Sequence, residues 1–213
     1  MESDIRAQVE RVVREVVESM LPGKSRRVPI HISARHLHIR QEDLETLFGE
    51  GARLTKMRDL MQPGEFAANE TVAVTGPSGK QFGQVRILGP ARSATQVELS
   101  YTDSRFLELD LPVRISGDIG GTASVVLEGP RGTLELKEGA IRALRHLHMH
   151  TDDARTFGIE NGQKLRIRTD GPLGLVFENV IARVGANAFL EMHIDTDEGN
   201  AAGLSGESYG VIL

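Results

Sequence analysis

Residues 3–21 carry apolar side chains at Ile5, Val9, Val12, Val13, Val16 and Met20, a recurrence every three to four positions that predicts one amphipathic helix. Ser3 stands where an N-cap is needed, and Pro22-Gly23 ends the pattern. Arg6, Glu10, Arg11, Arg14 and Glu18 occupy much of the remaining surface. Such a stripe suits packing on the protein's own body, contact between copies of the chain in a homo-oligomer, or docking into a partner's groove. Beyond residue 27 the apolar runs shorten and are broken by Gly and Pro, which predicts strands at 71–74, 84–88, 95–101, 124–127, 164–168 and 175–181. Two short helices are expected at 41–48 and 151–157, each directly after a copy of Arg-His-Leu-His, at 35–38 and 145–148.

That coincidence points to an internal duplication. His-Leu-His is followed in both halves by a short helix, a Phe-Gly pair (48–49, 157–158), a strand, a Gly-Pro pair (76–77, 171–172), a second strand, and then Glu and Thr-Asp (98 and 102–103; 191 and 196–197). The histidine motifs are offset by 110 residues but the Thr-Asp pairs by only 94, so the first half holds about 16 extra residues, expected within 52–69. Strand-rich halves this small would close as two barrels or sandwiches with a shared site between them. The expected division is a helical segment over 1–23, a first half over 28–115 and a second over 122–213. The glycine-rich stretch 116–122 then falls between the halves as an interdomain turn, and Gly76-Pro77-Ser78-Gly79 makes a hairpin turn.

All seven histidines fall in three places: His31, His36 and His38; His146, His148 and His150; and His193. Residues two apart on a strand share a face, so each His-Leu-His presents two imidazoles together and turns Leu37 or Leu147 into the core. A catalytic zinc site uses three protein ligands and keeps a fourth position open. Glu98 and His193, on strand-like segments late in each half, are the candidate third donors. His36, His38, Glu98, His146, His148 and His193 therefore offer up to six N and O ligands, a set suited to two zinc-like ions, although imidazole also serves Fe, Ni and Cu. His31 and His150 lie at the edges of patterns complete without them. Arg35 and Arg145 would face away from the histidines and make structural ion pairs. Arg92, in a turn leading to Glu98, is placed either to grip phosphate bidentately or to sit in solvent.

Composition narrows the chemistry. The chain has no cysteine, which excludes thiol nucleophiles, Cys-ligated metal and disulfides. A net charge of -5 with scattered Lys and Arg provides no nucleic-acid stripe, and no apolar run reaches the roughly 18–20 residues of a membrane span, so a soluble intracellular protein is expected. Neither a P-loop, a dinucleotide fingerprint nor a nucleophile elbow is present. Metal-assisted attack by a bound small nucleophile is thus favoured over nucleophilic catalysis by the chain.

Several segments resemble the PduL-type phosphate propanoyltransferases, or phosphotransacylases. They are residues 28–38 with Arg-His-Leu-His, 62–72 (Gln-Pro-Gly-Glu-Phe-Ala-Ala-Asn-Glu-Thr-Val), 88–98 (Leu-Gly-Pro-Ala-Arg-Ser-Ala-Thr-Gln-Val-Glu), 116–119 (Ser-Gly-Asp-Ile), 145–149 and 190–198 (Leu-Glu-Met-His-Ile-Asp-Thr-Asp-Glu). The resemblance implies a mainly β protein of two β-barrel domains with short capping helices. It further implies an enzyme that interconverts acyl-CoA plus phosphate with acyl phosphate plus CoA, with propanoyl-CoA or acetyl-CoA as substrate. Carried over by position, His36, His38 and Glu98 would hold one Zn2+ and His146, His148 and His193 the other, with the partition between ions left open. Arg92 would bind phosphate. Family members in bacterial microcompartments carry an N-terminal amphipathic helix for targeting, so residues 3–21 would dock to shell or lumen proteins and place the enzyme in the lumen. Two rivals share the ligands: a zinc hydrolase of an ester or amide, and a non-enzymatic metal-binding microcompartment protein.

Overall fold

The computed structural model of the protein describes residues 26–213. The helix expected over 3–21, with its docking role, lies outside the described residues. The first part of the chain forms β1 (Arg27–Ser33), β2 (His36–His38), α1 (Gln41–Phe48), β3 (Lys56–Asp59), β4 (Phe66–Thr75), β5 (Gln81–Gly89), β6 (Gln96–Glu98), α2 (Tyr101–Phe106), β7 (Val113–Arg114) and β8 (Ala123–Glu128). The second forms β9 (Thr133–Ala143), β10 (His146–His150), α3 (Thr151–Phe157), β11 (Lys164–Thr169), β12 (Val176–Gly185), β13 (Glu191–Asp195), α4 (Thr196–Ala201) and β14 (Ser208–Ile212). Among the described residues no helix is long and apolar enough to cross a membrane.

The strands close two six-stranded barrels, as the duplication implied. Around one, the neighbours run β2, β5, β4, β8, β9, β6 and back to β2, with β3 and β7 attached outside the ring. Around the other they run β10, β12, β11, β14, β1, β13 and back to β10. Every pairing in the first ring has a counterpart of the same sense in the second: β2–β5 and β10–β12 are parallel, β2–β6 and β10–β13 antiparallel, β6–β9 and β13–β1 parallel. Closure also hides the strand edges that an open sheet of this size would leave exposed.

This topology corrects the expected division of the chain. β1 precedes the first His-Leu-His strand but closes the second barrel, and β9 precedes the second His-Leu-His strand but closes the first. The two repeats have exchanged their first strands. The boundary therefore does not lie between 115 and 122: the glycine-rich stretch there joins β7 to β8 within the first barrel and is not an interdomain turn, while the repeats meet in the β8–β9 hairpin.

Each barrel has its own apolar interior. Leu37, Val72, Val85, Ile87, Val97, Leu127 and Ala140 fill the first, and Val28, Ile30, Leu147, Met149, Ile167, Val180 and Met192 the second. The helices α1 and α3 occupy the expected spans and cap the barrels with Leu44 and Leu47 or with Ala154 and Phe157. Gly158 ends α3 with φ 67°, a left-handed position that glycine takes without steric cost. Most of the extra residues of the first repeat lie in the connection 49–65, which holds β3 and has no counterpart strand in 158–163; β4 is also longer than β11. The strand expected over 95–101 is shorter, because Ser100 and Asp103 form a reciprocal capping box that starts α2 at Tyr101.

Candidate metal centre between the barrels

Both His-Leu-His copies are strands, so the alternation of a pleated chain sets their geometry. Leu37 and Leu147 are fully buried, and the flanking imidazoles turn to the other face. Register supplies the third donor: His36 pairs with Glu98 across β2–β6, and His146 pairs with His193 across β10–β13. The structure thus assembles two clusters, His36–His38–Glu98 and His146–His148–His193, with donor atoms in each within 4.8 Å of one another. Both open on a cavity of about 590 Å3 between the barrels, which also receives Arg58, Arg86, Arg92 and Arg183.

The clusters fit a small divalent ion. His36 Nδ1 donates to the Ala34 carbonyl at 2.9 Å and His146 Nδ1 to the Leu144 carbonyl at 3.0 Å, which leaves each Nε2 as a lone pair facing the cluster. Burial and the nearby His36 and Arg92 lower His38 to about 3, burial and His193 lower His146 to about 4, and burial and His146 lower His148 to about 3. They are therefore neutral imidazoles, the form that binds metal. Burial alone would raise the Glu98 carboxyl, but His36, His38 and the Ser116 hydroxyl hold it below its ordinary value. Zinc bonds of about 2.0–2.1 Å at tetrahedral angles set ligand atoms roughly 3.3–3.4 Å apart. The observed separations bracket that value: 3.1 Å for His146 Nε2 to His148 Nε2, 3.5 Å for His36 Nε2 to Glu98 Oε2, and 3.8 Å for His38 Nε2 to Glu98 Oε1.

The arginines divide by partner. Arg35 bonds Asp103 at 2.6 Å and Arg145 bonds Glu198 at 2.9 Å, and both carboxylates belong to helix capping boxes, so these two arginines brace α2 and α4. Arg92 reaches the cavity from the turn after β5 and is held by Glu65 at 2.7 Å. Arg86 donates to the Ala68 carbonyl at 2.6 Å. Arg183 is half-buried beside His148 on β12, and its guanidinium has no hydrogen bond or ion pair among the described residues. The apolar pattern predicts a strand ending at 181, short of this residue; the strand continues to Gly185, and its alternation places Arg183 on the face of Ile181.

Two other histidines stand apart from the donors. His150 is the N-cap of α3, accepting from the Asp152 amide at 3.1 Å. His31, on the exchanged β1, lies beside His193 with ring centres 5.2 Å apart, but neither cluster includes it. Gln96, Ser116 and Glu191 contact the donors, Gln62 contacts Glu191, and none of the four is singled out by the sequence, although Gln96 and Glu191 share the position two before the last donor of each cluster.

Comparisons with known proteins place the chain in a family. A family model for phosphate propanoyltransferase matches residues 29–205, a span that includes every donor and most of both barrels. The phosphate propanoyltransferase of Priestia megaterium is 48% identical over 206 residues, covering 96% of this chain and 94% of that protein. Those of Thermotoga maritima and Planctopirus limnophila are 46% identical over 194 residues and 45% identical over 214, covering 91% and 94% of this chain and 91% and 88% of theirs. By the extent of these matches, the chain belongs to the phosphate propanoyltransferase family.

Proposed function

We propose that the protein is a zinc-dependent phosphotransacylase, which interconverts propanoyl-CoA plus phosphate with propanoyl phosphate plus CoA. The observation that carries this reading is the pair of three-donor clusters facing one arginine-lined cavity, in a chain with no cysteine. His36, His38 and Glu98 would hold one ion and His146, His148 and His193 the other. Zn2+ bound there supplies Lewis acidity, which lowers the cost of negative charge on the thioester oxygen or the departing sulfur.

The chain's own residues do the rest. Arg92 and Arg183 approach the donors from different repeats, and their guanidinium groups suit the oxygens of phosphate. Arg58 and Arg86 line the same cavity and suit the anionic parts of CoA. In the forward direction a phosphate oxygen attacks the acyl carbon, the carbon–sulfur bond breaks, and CoA leaves as thiolate. The phosphate already enters as an anion, so no side chain has to form an acyl-enzyme first. Orientation of the two substrates in one cavity is the main contribution expected of the protein. The amphipathic pattern over 3–21 supports the further proposal that this segment docks the enzyme inside a bacterial microcompartment.

The test is thiol release from propanoyl-CoA with and without phosphate, before and after chelation, repeated with acetyl-CoA. Release that requires both phosphate and metal is expected. Release without phosphate would make the protein a hydrolase, and release that survives complete chelation would remove metal from the reaction.

A further inference from the structure

The repeat relates more than the donors themselves. Gln96 stands two residues before Glu98 on β6, and Glu191 two before His193 on β13, so each shares a strand face with its donor. Gln96 Nε2 donates to Glu98 Oε1 at 2.6 Å, and the Ser116 hydroxyl donates to the same oxygen at 2.8 Å. In the other barrel His193 Nε2 lies 2.8 Å from Glu191 Oε2, and because an ionised carboxylate only accepts, the ring N–H is the donor. Glu191 is 5% exposed, which makes its partners obligatory. Gln62 supplies the second one, donating from Nε2 to Glu191 Oε2 at 3.1 Å. Gln62 is anchored in turn by bonds of 3.1 Å to both the amide and the carbonyl of Phe189.

The two halves are thus opposite in sign. An anionic donor, Glu98, is met by hydrogen donors, and a neutral imidazole, His193, is met by an acceptor. We propose that Gln96 and Glu191 are positioning residues for the two metals, each matched to the chemical type of the ligand beside it. The proposal rests on the dinuclear reading above. Glu191 holds the His193 proton on Nε2, leaving Nδ1 as the nitrogen with a free lone pair, and its charge makes that nitrogen a stronger base. Gln96 and Ser116 fix the rotation of Glu98 and occupy Oε1, leaving Oε2 as the oxygen nearest His36. The inserted connection 49–65 acquires a purpose: Gln62 lies in it, and through Glu191 it reaches the cluster of the opposite barrel.

The experiment is a competition titration of the full chain with Zn2+ against a chromophoric chelator, paired with the visible absorption of the Co2+-loaded protein. The wild-type chain is expected to bind two equivalents. Glu191→Ala should weaken one of them by roughly 10–100-fold and alter its Co2+ bands while the other keeps its affinity, and Gln96→Ala should do the reverse. Glu191→Gln keeps the side-chain volume and reads the same quantity if the alanine variant fails to fold. Its amide oxygen can still accept from both His193 and Gln62, which meet the same oxygen of Glu191, but the charge is lost, so a smaller weakening is expected. Wild-type affinities in these variants would overturn the proposal and leave the dinuclear reading intact. No metal bound by the wild-type chain would overturn the dinuclear reading itself. Loss of an equivalent as complete as in His193→Ala would make Glu191 a ligand and also overturn the positioning role.

Discussion

Arg92 reaches the cavity with Glu65 on one Nη2 donor at 2.7 Å, which leaves its other guanidinium N–H groups for the proposed phosphate. An arginine that orients phosphate and ignores the acyl group should show that selectivity when removed. Arg92→Ala is expected to raise the phosphate KM roughly 10–100-fold, the range of one or two charge-assisted hydrogen bonds, and to change the acyl-CoA KM little. Steady-state kinetics with both substrates varied would check this, and equal rises in both would take Arg92 out of the phosphate site. The histidines carry a second prediction. In the metal-free fold His38, His146 and His148 titrate at about 3, about 4 and about 3, against roughly 6.5 for histidine in an unfolded chain. Between those values the unfolded chain binds protons that the folded one refuses, so stability rises with pH across that window and is lost as pH falls through it. Urea midpoints of the chelated protein should therefore drop from about pH 6.5 towards pH 4, with a shallower drop in His148→Gln. A flat profile would refute the buried, neutral state of these rings.

At the scale of elements, the strand character of His-Leu-His was legible because alternation is a property of adjacent residues. Leu37 and Leu147 face inward for the same reason that their histidines face the cavity. Leu37→Ala and Leu147→Ala should each cost roughly 2–5 kcal/mol in urea unfolding, the range for a fully buried leucine. A loss well under 1 kcal/mol at either position would mean that its barrel interior is not close-packed there. The elements that escaped were those decided by a cap or a partner. The apolar run 95–101 looks like one strand until the Ser100–Asp103 box ends it after β6 and starts α2 at Tyr101, and the loop 116–122 looks like a linker until Ser116 and Gly117 bond Glu98 and Gln96. The donors Glu98 and His193 were legible as late positions in each repeat, but Gln62 and Glu191 lie 129 residues apart and no local pattern joins them.

For the whole molecule, the exchange of β1 and β9 makes each barrel depend on the other repeat. β1 pairs with both β13 and β14, so a fragment of residues 145–213 lacks the strand that closes its ring. Such a fragment should show little native circular dichroism and poor amide dispersion alone, and should gain both when a peptide spanning 26–34 is added. A fragment that folds by itself would show that the exchanged strand is dispensable. The sequence by itself determined the duplication, the two histidine pairs, the candidate third donors and the mainly β character, because alternation is local and the same order of landmarks recurs in each half. Only the tertiary structure decided which strand closes which barrel, and hence where the repeats divide and which carboxylate and amide stand behind the donors. β1 and β9 occupy equivalent places beside β13 and β6, so local pattern suits either assignment, and the choice is made by hydrogen bonding and packing between residues far apart in the chain.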